Sequence, residues 1–229
     1  MKRNCIVSFF VIASFLLIFS QLSFAQDMEG RLGLGARMAF VSYGGDSYNY
    51  SIYDTDFKIE TDFDYAPMYG GNLTYFVHKY FSFELSVDRV ETDVDLKISV
   101  PGFPIKTVVG VGEMEQLPIL LTARTHFSTN PKVNPYFGVG IGYYLNDFHS
   151  NDLVRAALPP GGRLDIDDSL GFHINTGVEI FLNERFALNL ELKYVWNDTD
   201  LKLKFPDAAE EVDFRLDAFV AGAGFKIYL

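Results

Sequence analysis

Residues 113–148 read EMEQLPILLTARTHFSTNPKVNPYFGVGIGYYLNDF. In the first arm Leu117, Ile119, Leu121, Ala123, Thr125 and Phe127 alternate with Gln116, Pro118, Leu120, Thr122, Arg124 and His126. In the second, Phe137, Val139, Ile141, Tyr143 and Leu145 alternate with Tyr136, Gly138, Gly140, Gly142 and Tyr144. A period of two assigns each set to one face of a strand, so the stretch predicts two strands joined by a short turn. One face is large and apolar; the other is charged, small or mixed. A sheet in water turns its large apolar face to a core. A membrane barrel turns that face to lipid and keeps the mixed face inside.

Six more segments share the pattern. Arg31 to Ser42 sets Leu32, Leu34, Ala36, Met38 and Phe40 on one face, and Met68 to Val77 sets Leu73, Tyr75 and Val77. A third strand carries Phe81, Phe83, Leu85 and Val87 and runs on through Glu91 to Lys97. Beyond the hairpin come Leu170 to Ile180, Phe186 to Trp196, and a final strand with Phe219, Ala221, Ala223, Phe225, Ile227 and Leu229 on one face. His78-Lys79, Ser128 to Asn134 and Asn183 to Arg185 read as short turns. Residues 44–66, a loop with Pro101, Gly102, Pro104, Gly110 and Gly112, Ser150 to Asp168, and Asp198 to Asp213 read as long connections.

Long and short connections alternate, so all short turns share one end. Apolar faces four to six residues deep suit tilted strands of about 9–11 residues. Phe81, Phe127, Phe181 and Phe186 near the short turns, and Tyr143, Tyr194 and Trp196 towards the loops, suit two interfacial girdles. The expectation is an all-β chain: an eight-stranded antiparallel up-and-down transmembrane β-barrel with short periplasmic turns and long extracellular loops. A secreted β-sandwich also alternates, but it requires neither the loop asymmetry nor such uniform apolar faces.

Lys2 and Arg3, the apolar run from Cys5 to Phe19 and Ser23-Phe24-Ala25 have the layout of a secretory signal peptide. Residues 1–25 are expected to be cleaved, leaving 26–229 as an outer-membrane barrel. Cys5 is the only cysteine, so the mature chain needs no disulfide framework. Losing Lys2 and Arg3 takes the formal charge from −11 to −13. That acidity argues against nucleic acid as a partner.

Strand direction places inward residues by height. Near the short turns lie Arg31, Glu84, Arg124, His126, Glu179, Asn189 and Lys226, a mutually paired charged floor. Near the long loops lie Val41, Met68, Val90, Pro118, Leu120, Tyr144, Val195 and Val220, a largely apolar cup open to the outside. His173, Asn197 and the mid-height Arg37 break the pattern. Eight strands enclose room for side chains or one small ligand. A small hydrophobic molecule entering the cup would meet the floor and have to leave sideways. Pro118 suits such an exit, because a proline in mid-strand removes a ladder hydrogen bond. A bend or bulge, and a lumen filled by folded-in loops, are the plainer readings.

These residues resemble the outer membrane protein W (OmpW) family. The likeness lies in Gln116-Leu117-Pro118, in Thr125-His126-Phe127 with Asn130-Pro131-Lys132, and in Pro135-Tyr136-Phe137-Gly138-Val139-Gly140. It continues in Asp167-Asp168-Ser169-Leu170-Gly171 and in Asp217 with the Gly-rich last strand. The resemblance implies an eight-stranded outer-membrane barrel with an apolar lumen, linked to passage of small hydrophobic compounds. Its expected surroundings are outer-membrane lipid, lipopolysaccharide and the barrel-assembly machinery. The alternative is a structural or adhesive barrel with a blocked lumen whose acidic loops bind partners.

No enzyme is expected. His126-Phe127-Ser128 resembles the His-x-Ser pair of outer-membrane lipid A deacylases, but the first acid after it is Asp147 and a triad needs a group to orient its base. No cofactor or metal is expected either. Asp54/Asp56, Asp62/Asp64, Asp93/Asp95, Asp165/Asp167 and Asp198/Asp200 read as a solvated acidic rim, and none matches a calcium loop. The histidines are scattered.

Overall fold

The computed structural model describes residues 28–44, 47–52, 55–63, 65–99, 106–127, 132–158, 162–204 and 209–229. The expected signal peptide, residues 101–105 of the Pro101 loop and residues 128–131 of the turn from Ser128 to Asn134 lie outside them. Twelve strands are present among the described residues: β1 (Leu32–Tyr43), β2 (Ser47–Ile52), β3 (Thr55–Phe63), β4 (Ala66–His78), β5 (Phe81–Ser99) and β6 (Lys106–His126). Then follow β7 (Val133–Ser150), a short helix α1 (Asp152–Ala157), β8 (Arg163–Ile166), β9 (Ser169–Phe181), β10 (Phe186–Lys204), β11 (Ala209–Arg215) and β12 (Ala218–Tyr228).

Eight of them close a ring in the order β1-β4-β5-β6-β7-β9-β10-β12, every neighbouring pair antiparallel. Closure comes from β1 against β12, running from Gly33↔Tyr228 to Tyr43↔Ala218. A closed ring leaves no unpaired edge in lipid, which is what a membrane-spanning sheet requires. Leu34, Met38, Phe40, Leu121, Val139, Leu170, Phe172 and Leu190 are among the many large apolar side chains that point outward and are exposed. The inward face carries Arg37, Glu84, Asp88, Arg124, Glu179, Glu191, Lys193 and Lys226, all buried. This inversion of the soluble pattern is the barrel that the alternation predicts.

The long connections are more regular than expected. Residues 44–66 contain the β2–β3 hairpin, and β3 pairs with the upper part of β5. β6 begins at Lys106, so Gly110 and Gly112 are in a strand rather than a loop. The connection after β7 holds α1, capped by Asn151 accepting from the Val154 N–H at 3.0 Å, and β8. β8 and β11 both pair with the top of β10, which extends to Lys204. Backbone pairing thus continues well beyond the bilayer. The first short turn lies at Lys79-Tyr80, one residue later than His78-Lys79, because His78 still pairs with Phe81. Phe181 is inside the barrel and not in a girdle: it packs on Tyr228 with ring centroids 5.5 Å apart.

Candidate functional site in the lumen

From the short-turn end upward the lumen is layered. At the bottom Met28, Phe76, Phe181, Ala187 and Tyr228 form a buried apolar plug. Above it sits the floor. Arg37 Nε donates to Asp88 Oδ1 at 2.8 Å, its Nη2 reaches Asp88 Oδ2, and its Nη1 lies 3.2 Å from Glu191 Oε1. Arg124 forks onto Glu84 and also donates to Glu191 Oε2 at 2.6 Å. Lys226 Nζ stands 2.8 Å from both Glu84 and Glu179, and Lys193 Nζ 3.1 Å from Glu191. Four cations thus face four carboxylates, a neutral set. Burying ions in this way is tolerable only when each finds several partners. Tyr136, Asn175 and Tyr228 add hydrogen bonds to Glu191 and Glu179.

Glu84, Arg124, Glu179 and Lys226 hold the floor positions the sequence predicts, and Arg37 joins them. His126 is buried beside them without an ion pair, sharing hydrogen bonds with Ser82 and Asn134. Arg31 is a correction. It precedes the first residue of β1, escapes the inward alternation, and donates to the Glu184 carbonyl at 2.6 Å on the exposed rim. Asp88, Glu191 and Lys193 are floor residues that the height assignment missed. Their inward parity was visible, but pairing across the ring is not a local property.

Above the floor all eight predicted cup residues line one cavity, joined by Tyr43, Gln116, Lys193, Leu216 and Ala218. The cavity volume is about 20 Å³, little more than one water molecule occupies. Leu216, contributed by the segment after β11, is fully buried against it. A polar strap crosses the mouth: Tyr43 Oη donates to Gln116 Oε1 at 3.1 Å, and Gln116 Nε2 donates to Asn146 Oδ1 at 2.8 Å. Over the strap Val94, Met114, Ile166 and Phe214 resume an apolar cluster made by the strand extensions.

The wall beside the cup is interrupted at one place. β5 pairs with β6 at Val87↔Ile119 and again at Val90↔Gln116, but Asp88 and Arg89 have no ladder partner opposite Pro118 and Leu117. β6 pairs without a break on its other side, through Pro118↔Tyr144. The proline therefore opens the ladder towards β5. An outer groove lined by Arg89, Glu115, Gln116, Leu117, Leu145, Asn146 and Asp147 lies against the same stretch.

In the loops, Asp165 accepts from Arg163 at 2.6 Å and from Lys204 at 2.8 Å. Burial alone would push its carboxyl up, but these two cations outweigh burial and hold it below the usual range. The acidic rim is thus partly tied to its own basic neighbours.

A closed eight-stranded ring, apolar outside and ion-paired inside, with long loops at one end, defines an integral outer-membrane β-barrel of bacteria. The chain belongs to the OmpW family, whose profile matches residues 28–227. It is similar to outer membrane protein W of Vibrio cholerae, 26% identical over 162 residues, covering 69% of this chain and 72% of that protein. The other curated relatives compared are matched over 38% to 62% of their length. Among solved structures it is similar to the outer membrane protein OprG from Pseudomonas aeruginosa, at a TM-score of 0.72 and 22% identity. That likeness covers 90% of this chain and 99% of OprG. Outer membrane protein AlkL matches with a TM-score of 0.59 and 18% identity, over 91% of this chain and 94% of AlkL. These likenesses bear on the fold.

Proposed function

We propose that this barrel is a channel for passive entry of small hydrophobic molecules across the outer membrane. The observation that carries the reading is the coincidence of the apolar cup with the ladder break at Pro118. A molecule that entered from the loop side would meet apolar walls, then a floor of matched charges over an aromatic plug. An apolar solute has nothing to gain from separating those ion pairs. The nearest way out is sideways, where β5 and β6 are not paired. The route leads to lipid and needs no chemistry, so neither an enzyme nor a cofactor enters it.

Cells with and without the protein should be compared for uptake of a small apolar tracer and of a sugar of similar size. Faster entry of the apolar tracer alone supports the reading. Faster entry of the sugar would mean the floor conducts and the barrel is an ordinary small pore.

One observation favours a second reading. The cup is nearly filled, with Leu216 seated in it. If neither tracer responds while the barrel is folded and present, the lumen is blocked. The barrel would then be structural or adhesive, with the acidic loops as its binding surface.

A further inference from the structure

Of the polar tips that line the cup, those of Tyr43, Gln116 and Lys193 are each tied to a neighbour, whereas Tyr144 stands among valine, leucine, methionine and proline. Its side chain is laid into the lumen by two glycines. A Cβ at Gly142 would stand 2.8 Å from Tyr144 Cε2, and one at Gly171 would stand 2.9 Å from the same atom. Any larger residue at either position would push the ring away, so the ring's place is built into the neighbouring strands. The residue is 3% exposed, and its hydroxyl has no hydrogen-bond partner among the described residues. On the far side of Gly171 stands Asn197, whose Cβ would lie 3.3 Å from the same added atom. Asn197 is 1% exposed and both polar atoms of its side chain are unpartnered. Tyr144 and Asn197 thus stand over one glycine at the top of the cup, both buried and both with side-chain polar atoms that lack a partner among the described residues. Leaving such groups unsatisfied is unfavourable, and folded proteins avoid it.

We infer that the cup selects molecules with an apolar body and one uncharged hydrogen-bonding group, such as an alcohol or a carbonyl, rather than plain hydrocarbons. The inference rests on the channel reading above and names its solute class. The hydroxyl of Tyr144 donates to or accepts from the head group, and the amide of Asn197 offers the complementary role. A charged head is disfavoured, because the floor beneath is already neutral and would leave an added charge without a counterion. Lys193, the cation nearest the cup, is held by Glu191.

The test uses whole cells carrying the intact barrel or Tyr144→Phe, with cells lacking the protein as background. The probes are 1-octanol and n-octane. Phenylalanine keeps the ring on its glycines and removes only the hydroxyl. Octanol uptake above background is expected to fall about fivefold to tenfold in the variant, the ratio that one neutral hydrogen bond supports. Octane uptake should fall by less than this factor, and an unchanged heat-modifiable gel mobility shows separately that the variant is folded and inserted. If the variant alters neither probe, or both by the same factor, the inference is overturned while the channel stands. If the native barrel speeds neither probe above background, the channel reading falls and the inference falls with it.

Discussion

The floor and the cup share one lumen and the same eight strands, yet their side chains are held in opposite ways. In the floor every charge has at least one partner within 3.2 Å, and Glu84 alone serves Arg124, Lys226 and Thr74. In the cup the contacts are apolar, the polar tip of Tyr144 is unpartnered, and the wall beside it lacks ladder pairs. Directional bonds over-determine the floor, so it has one arrangement. The cup is held by non-directional apolar packing beside an incomplete stretch of wall. On the proposed channel reading the difference divides the labour: the lower half blocks straight passage, and the upper half receives the solute.

The comparison is broken most severely from the floor. Glu84→Gln keeps the shape but leaves Arg124 and Lys226 short of an anion. It should destabilise the barrel by about 3–5 kcal/mol, the usual consequence of removing one member of a buried ion pair. Urea unfolding in lipid vesicles reads this directly, and a change below about 1 kcal/mol would mean the floor is hydrated and loose. In the cup, Leu120→Arg places a charge among apolar walls. It should lower entry of an apolar tracer about tenfold or more. Unchanged uptake would show that solutes never pass this level.

Pro118→Ala sharpens the contrast at the wall. It restores an N–H opposite β5, and one added ladder bond stabilises by about 0.5–1.5 kcal/mol. Uptake should fall while stability rises; a rise in both would place the exit elsewhere. The smallest effect lies outside the bilayer. The folded pKa of Asp165 is depressed, so its pairing with Arg163 and Lys204 contributes above the unfolded carboxylate value of about 3.9 and is lost as pH falls through the folded value. A carboxyl carbon-13 titration should show a midpoint below that of an exposed aspartate. An ordinary midpoint would mean that the Asp165 contacts do not persist in solution.

The ring of eight, its direction and the eight cup residues were legible in the sequence because a two-residue period sorts side chains to lipid or lumen without knowledge of distant neighbours. The floor was only half legible. Parity announced Asp88, Glu191 and Lys193 as inward, but whether Asp88 meets Arg37 or Glu191 meets Arg124 depends on ring closure and strand tilt. Arg31 failed for the converse reason: it stands one residue before the ladder begins, where alternation no longer applies. In the loops, Phe57, Ile59 and Phe63 alternate with Asp56, Lys58, Glu60 and Asp62. That signal of β3 was present but hidden among acidic residues that also suit a solvated connection. The bottom plug was missed because Phe181 reads as an interfacial aromatic until its inward parity is followed, and Phe76 and Tyr228, which share that parity, were given no role.

The neutrality of the floor has a consequence for how the barrel comes together. Arg37 stands on β1 and Lys226 on β12, the first and last strands of the ring, which pair with each other at its seam. The strands between them supply Arg124 and Lys193 against Glu84, Asp88, Glu179 and Glu191. The six strands between them therefore carry two surplus negative charges on their inner face, and the contacts of Arg37 with Glu191 on β10 and of Lys226 with Glu84 on β5 form across the seam only when the first and last strands pair. The seam strands act as a counter-charge key. A sheet that closes out of register presents unmatched ions to its own interior, so a correctly shut barrel is told from a wrong one by its electrostatics as well as by its backbone pairing.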